Sequence, residues 1–361
     1  MDEVRIQGCR GWGESPRYSG AGLCWYRLCY LFTGTSGNQD GVRFMAPEFS
    51  TELESRYPLF RFCYALLQEI PFAARGIDLS CKKYGTDFLD AAEDHLRRLF
   101  DMLGHDLERL RRAVDSYARL NIDVLKMQNR FFSTGRPAPW SPADRIEKVY
   151  RDADLMEGPY LMGLYLAHVF WANHFEQFLF FRECFMPRLP QTGRLLDIGA
   201  GAGTYVVAVR AGRPELAILA NDISPYSIAM VRELDRASAP AGVAALDLLE
   251  GDFIQLLREP GELFDAAIFS EVVEHIPDPD LGLQRLAAAV KPGAPIFFST
   301  ATNAAFYDHT LVFHDVAEIE ALLARHRFSV AVSRQTPLFQ GKQAVEALDY
   351  FAVLVCPGGR V

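Results

Sequence analysis

The run Leu195-Leu196-Asp197-Ile198-Gly199-Ala200-Gly201-Ala202-Gly203-Thr204 decides the reading of this chain. Apolar residues lead into Gly-x-Gly-x-Gly, and a helical stretch follows. That order places a ligand at the carboxyl end of a parallel strand, beside a helix N-terminus with free N–H groups. Glycines there let backbone approach a ligand closely and take φ values other residues resist. A dinucleotide fingerprint would read GxGxxG, but Thr204 stands where its last glycine belongs. Asp197 sits on the strand just before the turn, where its carboxylate can meet an ammonium group; a sulfonium-bearing zwitterion suits that charge better than a pyrophosphate does.

Downstream the chain alternates strand and helix, which predicts a parallel sheet covered on both faces. The strands are expected at Arg194–Gly199, Leu216–Asp222, Val243–Leu249, Phe264–Phe269, Pro295–Thr300, Phe328–Ser333 and Tyr350–Cys356, the last one antiparallel. Helices are expected at Pro225–Arg236, Asp280–Val290 and Val316–His326. Asp222 ends the second strand, where a carboxylate can accept both hydroxyls of a ribose, and Ile223 follows to lie against an adenine face. Gly251-Asp252-Phe253 puts another acid at a strand end, suited to the adenine amino group. Ser270 and Glu271 bring a fourth strand end to the centre of the same crevice. Taken singly, each has a structural explanation, a tight turn or a helix cap. Four in this order at strand ends describe a nucleoside crevice.

Residues about 190–356 resemble class I S-adenosylmethionine-dependent methyltransferases. The similar pieces are Leu-Leu-Asp-Ile-Gly-Ala-Gly-Ala-Gly-Thr from Leu195, Asn-Asp-Ile-Ser-Pro from Asn221, Gly-Asp-Phe from Gly251 and Ser-Glu-Val-Val-Glu-His from Ser270. The resemblance implies a Rossmann-like α/β sheet of seven strands and S-adenosylmethionine as cofactor. It also implies Asp197, Gly199, Ala200, Gly201 and Gly203 at the methionine portion, Asp222 at the ribose, and Asp252 with Phe253 at the adenine. It identifies the cofactor far better than the methyl acceptor.

Upstream, residues 1–44 are rich in Gly and Ser without a sustained period, and are expected to be a disordered extension. Residues 45–190 read as an all-helical cap or substrate domain, and 191–361 as the cofactor-binding domain. Within the cap, apolar residues from Phe88 to Leu125 keep helical spacing, broken near Gly104. The Ser133–Pro142 stretch is loop, and Ser141 caps a helix opened by Pro142. Residues 159–186 read as one helix, apolar on nearly every side and so sandwiched between layers.

The 361 residues are 50% hydrophobic and 12% aromatic, enough for a large core, and carry a net charge of -9. That balance, with no basic stripe, argues against a nucleic-acid partner. Seven scattered cysteines without a CxxC pair read as reduced thiols. The most apolar early run, Gly22 to Thr33, is too short for a membrane span, and no signal peptide is evident. The expectation is a cytoplasmic S-adenosylmethionine-dependent methyltransferase acting on a small molecule in specialised metabolism, away from membranes, with a homodimer left open.

Glu271, Glu274 and His275, at i, i+3 and i+4, are expected on one face of a helical turn. Carboxylates plus imidazole can bind a divalent ion, with His309 or His314 as a further ligand, and similar segments do so in some methyltransferases of this fold. The reading adopted has Glu271 facing the cofactor and the other two organising the turn, with no metal ligand assigned. For a hydroxyl or amine acceptor, His174, His168 or His275 could take the proton, although histidines on an aromatic helix are commonly packed core residues. The aromatic cap motivates an alternative, cyclisation of the cofactor to azetidine-2-carboxylate and methylthioadenosine, with Asn129 or Tyr165 orienting the amine. A non-catalytic cofactor-binding protein is the third alternative.

Overall fold

Leu195, Leu196 and Ile198 are buried on alternate faces of β1 (Gly193–Ile198), as expected of a central strand covered on both sides. The computed structural model describes residues 55–257, 261–338 and 346–358. The expected extension, residues 1–44, and Cys9, Cys24 and Cys29 lie outside the described residues. Cys63, Cys81, Cys184 and Cys356 are free thiols.

β1 pairs in parallel with β2 (Leu216–Asp222) on one side and β4 (Ala266–Ser270) on the other. β3 (Leu246–Glu250) extends the first side and β5 (Pro295–Ala301) the second, both parallel. β7 (Leu348–Val355) lies between β5 and β6 (Ser329–Pro337), antiparallel to both. The order β3-β2-β1-β4-β5-β7-β6 makes the seven-stranded sheet the sequence predicts. The chain reverses its direction of winding between β1 and β4, and ligands bind at such a switch point. Boundaries shift slightly: β3 begins at Leu246 rather than Val243, and β6 runs on to Pro337. The extra length of β6 comes from pairing with β7, which periodicity in a largely exposed edge strand does not reveal.

The N-terminal region is helical: α1 (Pro58–Leu67), α2 (Pro71–Tyr84), α3 (Thr86–Met102) and α4 (Leu107–Thr134). The break falls where expected, with Gly104 at φ 70° and His105 at φ 62°. Asp106 then caps α4 by accepting from the amides of Glu108 and Arg109. The single helix expected over 159–186 is a correction. It divides into a π-helical turn at Met156–Tyr160, α5 (Leu161–Phe170), α6 (Ala172–Phe180) and another π-helical turn at Phe181–Phe185. Trp171 is extended at φ -85°, ψ 128°. No Gly or Pro marks this break. The Trp171 indole donates to Asn121 of α4 at 2.9 Å, and a Cβ on Gly76 of α2 would lie 2.5 Å from the Phe170 carbonyl oxygen. Both contacts come from distant parts of the chain.

α5 crosses α4 closely at Gly163, where an added Cβ would sit 2.9 Å from Leu120. On the sheet side are α7 (Thr204–Gly212), α8 (Pro225–Ser238), α9 (Pro279–Ala289) and α10 (Val316–Arg325). α8 packs on α3 of the cap. The cap's apolar core continues into Ala202, Val207, Met230 and Leu234, so the helical region shares a core with the sheet. Each fully buried side chain such as Phe170 or Phe175 contributes about 1.5–3 kcal/mol to holding them together.

Candidate cofactor and acceptor site

The turn after β1 hangs on β2. The amides of Gly199 and Ala200 both donate to the Asn221 carbonyl, at 2.9 and 3.0 Å. Gly201 N–H donates to one oxygen of Asp222 at 2.8 Å, and Ser224 N–H to the other at 2.8 Å. Gly199 has φ 70°, and an added Cβ would stand 2.6 Å from Val272 Cγ2. Only glycine satisfies both conditions. Gly203 heads α7 in the left-handed region.

Asp197 is 2% exposed, and among the described residues its Oδ2 has no hydrogen-bond partner. Burial, helped by the nearby charge of Asp222, pushes its carboxyl up to about 8. Burial also raises Asp222, against the backbone amides that lower it. An unpartnered buried acid beside an open glycine turn fits a ligand carrying an ammonium group. Asp197 and the turn would hold that end, and Asp222 the ribose. Ile223 is half-buried next to it.

Asp252 and Phe253 sit differently from the expectation. Asp252 is exposed and caps the short helix Phe253–Leu256 through Ile254 N–H, while Phe253 points into the core against Phe269, 5.7 Å between centroids. The helix-cap explanation accounts for Asp252 here.

Ser270 Oγ lies 2.7 Å from Ser299 Oγ, and Gln177 Nε2 of α6 stands 2.8–2.9 Å from both hydroxyls and from Tyr205 Oη, with two N–H groups to share among them. Glu271 takes φ 53° and accepts from Ser299 Oγ at 2.7 Å. The helical face expected for Glu271, Glu274 and His275 is therefore corrected. Glu271 still pairs with β5 through its amide to Ser299, and only Val273–His275 form a 3-10 turn. Glu274 is turned onto Thr300 Oγ1 at 2.9 Å. Burial and the neighbouring Glu271 raise its carboxyl well above the usual carboxylate range.

His275 points into a polar cluster. Its Nδ1 is 3.5 Å from Asp308 Oδ2, its Nε2 is 4.0 Å from Glu274 Oε1, and its ring stands edge-on to His309 at 4.9 Å. Glu274, His275 and His309 bring ligand-type atoms within 4.8 Å of one another, a set able to take a divalent ion. His314 is exposed, and its amide donates to Glu318. Tyr150 and Tyr160, both from the cap, donate to Asp308 Oδ2 at 3.0 and 2.9 Å. Tyr150, which donates to Asp308, also accepts from Ser224 Oγ through its carbonyl at 2.8 Å, two residues beyond Asp222, so the cluster borders the cofactor crevice.

The other three catalytic candidates are not at this place. The Tyr165 ring stacks on His95 at 3.8 Å, and its hydroxyl donates to the His95 carbonyl within the cap core. Asn129 is exposed on α4; its neighbour Gln128 is the amide that reaches the sheet side, donating to the Asn303 carbonyl at 2.6 Å. His174 packs edge-on against Trp171 at 4.8 Å and near His168, and burial holds it neutral down to about 3. Phe175 packs against Phe88. The aromatic residues that motivate cyclisation are thus largely occupied in the cap core. Tyr150, Tyr160, Gln177 and Asp308 are site residues that sequence reading misses, because no local spacing links them to the strand ends.

Residues 170–334 match the family model for a methyltransferase domain. The ubiquinone biosynthesis O-methyltransferase of Stutzerimonas stutzeri is 34% identical over 116 residues, 30% of this chain and 44% of that protein. Its counterpart in Pectobacterium atrosepticum is 34% identical over 116 residues, 30% and 42% of the two chains. This chain therefore spans less than half the length of the curated relatives it matches. Among solved structures, the N-methyltransferase NodS from Bradyrhizobium japonicum, in complex with S-adenosyl-L-homocysteine, aligns with TM-score 0.40 at 17% identity, covering 60% of this chain and 99% of that one. A SAM-dependent methyltransferase from Methanosarcina mazei aligns with TM-score 0.39 at 14% identity, covering 49% and 98%. Residues 170–334 therefore form a methyltransferase domain.

Proposed function

We propose that the whole chain methylates a hydroxyl group of a small molecule in a biosynthetic step, with residues 45–190 capping the acceptor site and His275 taking the acceptor's proton. The observation that carries this reading is that His275 faces Asp308, which Tyr150 holds while its carbonyl accepts from Ser224, two residues beyond Asp222 in the crevice. Held by Asp197 and the glycine turn at its ammonium end and by Asp222 at its ribose, S-adenosylmethionine would supply a methyl group on positive sulfur, transferred to the acceptor oxygen with the neutral thioether as leaving group. The protein's own part is to hold the two reactants in line, exclude water and accept one proton. The acceptor's hydroxyl proton passes to Nε2 of His275 and leaves to solvent with the product. The O-methyltransferase relatives support oxygen as the acceptor atom.

The test is incubation of the full chain with S-adenosylmethionine alone and with a panel of phenolic and aliphatic alcohols, followed by mass spectrometry. S-adenosylhomocysteine formed only with an acceptor is the expected result. Methylthioadenosine formed without one would overturn the reading in favour of cyclisation. Loss of activity on chelation, restored by a divalent ion, would instead make His275 a metal ligand and remove it as the base.

A further inference from the structure

Asp308 is the most heavily engaged carboxylate of the cluster, although nothing in its sequence context singles it out. It is 1% exposed, on the loop that follows β5. Oδ2 receives two hydroxyl donors from the cap and faces His275 Nδ1, while Oδ1 has no partner among the described residues. His275 Nδ1 likewise has no formed hydrogen bond, at 3.5 Å from Oδ2. Catalytic hydrogen bonds are often this long before ligands bind.

We infer that Asp308 is a positioning residue that sets the tautomer of His275, and that Tyr150 and Tyr160 of the cap hold Asp308 in place to do so. The inference rests on the reading of His275 as proton acceptor. A carboxylate can only accept, so the imidazole nitrogen facing it must carry the proton. That nitrogen is Nδ1, which leaves Nε2 with a lone pair for the acceptor's proton. Burial alone would raise Asp308, but His275, His309 and the two tyrosine hydroxyls outweigh it and hold its carboxyl below the usual range. Tyr150 and Tyr160 are both raised well above their ordinary value, burial first and Asp308 second, so both remain donors. The neighbour on the other side, Glu274, is also raised well above the carboxylate range, and it faces Nε2 rather than Nδ1.

The cap thereby takes part in the chemistry as well as covering it. Tyr150 and Tyr160 belong to the π-helical turns Ile146–Tyr150 and Met156–Tyr160. The Tyr150 carbonyl also accepts from Ser224 Oγ at 2.8 Å, two residues beyond Asp222. One cap segment thus touches both the ribose side and the proton-accepting side of the crevice.

The test is 15N NMR of the full chain labelled on histidine, at pH 8, with the His275 signals assigned by loss in His275→Gln. The wild type is expected to show Nδ1 protonated and Nε2 bare. Both tyrosine hydroxyls and Nδ1 face the same oxygen, Oδ2, so Asp308→Leu, which keeps the volume but removes that oxygen, is expected to lose the preference for protonation at Nδ1. With an acceptor in hand, the same variant is expected to lose about 10²–10⁴ in kcat, while acceptor KM and cofactor Kd stay within about threefold. Any other protonation pattern in the wild type, or an unchanged pattern in Asp308→Leu, would overturn the inference. An unchanged kcat in His275→Gln would overturn the base assignment instead, whatever the tautomer.

Discussion

At Asp197 burial and charge meet most directly. Burial and the nearby charge of Asp222 push its carboxyl up to about 8, so it is largely protonated at neutral pH. Pairing with the cofactor's ammonium requires the carboxylate, so binding must expel that proton. The sign follows: affinity for S-adenosylmethionine should rise as pH rises from 5.5 to 7.5. Calorimetry at pH 6.5 in buffers of different ionisation enthalpy should report close to one proton released per cofactor bound. Asp197→Asn should abolish that release and weaken binding about tenfold or more, roughly 1.4 kcal/mol or above. Proton release of the same size in the variant would point to another acid of the crevice. Gly199 is the second residue on which the crevice depends. Gly199→Ala meets both φ 70° and the 2.6 Å approach to Val272, and should cost about 1–3 kcal/mol in urea unfolding. The double variant with Val272→Ala should recover the steric part and leave the backbone part.

Between elements, a few buried amides join cap to sheet. Gln177 of α6 bridges Tyr205 of α7, Ser270 of β4 and Ser299 of β5. Asn173 of the same helix donates to Asp349 of β7 at 2.6 Å, an acid that burial and Glu271 raise well above its usual range. From α4, Gln128 donates to the Asn303 carbonyl and accepts from Ala305 N–H. Replacing Gln177 by Leu removes one partner and leaves three buried hydroxyls to find others, at about 1–3 kcal/mol. The expected outcome is a lower Tm with a raised KM for the cofactor, because Ser270 flanks Glu271 at the strand end. A lowered Tm with cofactor KM unchanged would restrict Gln177 to a purely structural role. This network was invisible in sequence because its members lie on four separate elements and share no period.

For the molecule as a whole, the cap's core extends onto the sheet side. Apolar residues from α1 to α6 pack together with Ala202, Val207, Met230 and Leu234. Scanning calorimetry of the full chain should therefore show the cap and sheet unfolding in one transition. Two resolved transitions, one assignable to each, would contradict the shared core. No helix among the described residues is long and apolar enough to cross a membrane.

Sequence alone determined the sheet and the glycine turn, because those depend on local periodicity and on residues adjacent along one strand–turn–helix unit. The break at Gly104 was legible for the same reason. Asn129, Tyr165 and His174 were read as chemistry, but the fold uses Tyr165 and His174 as packing and leaves Asn129 on the surface. The break at Trp171 and the meeting of Tyr150, Tyr160, Asp308 and His275 were decided only by tertiary structure. Contacts between residues far apart in the chain create both, and no local pattern records which distant side chain will arrive.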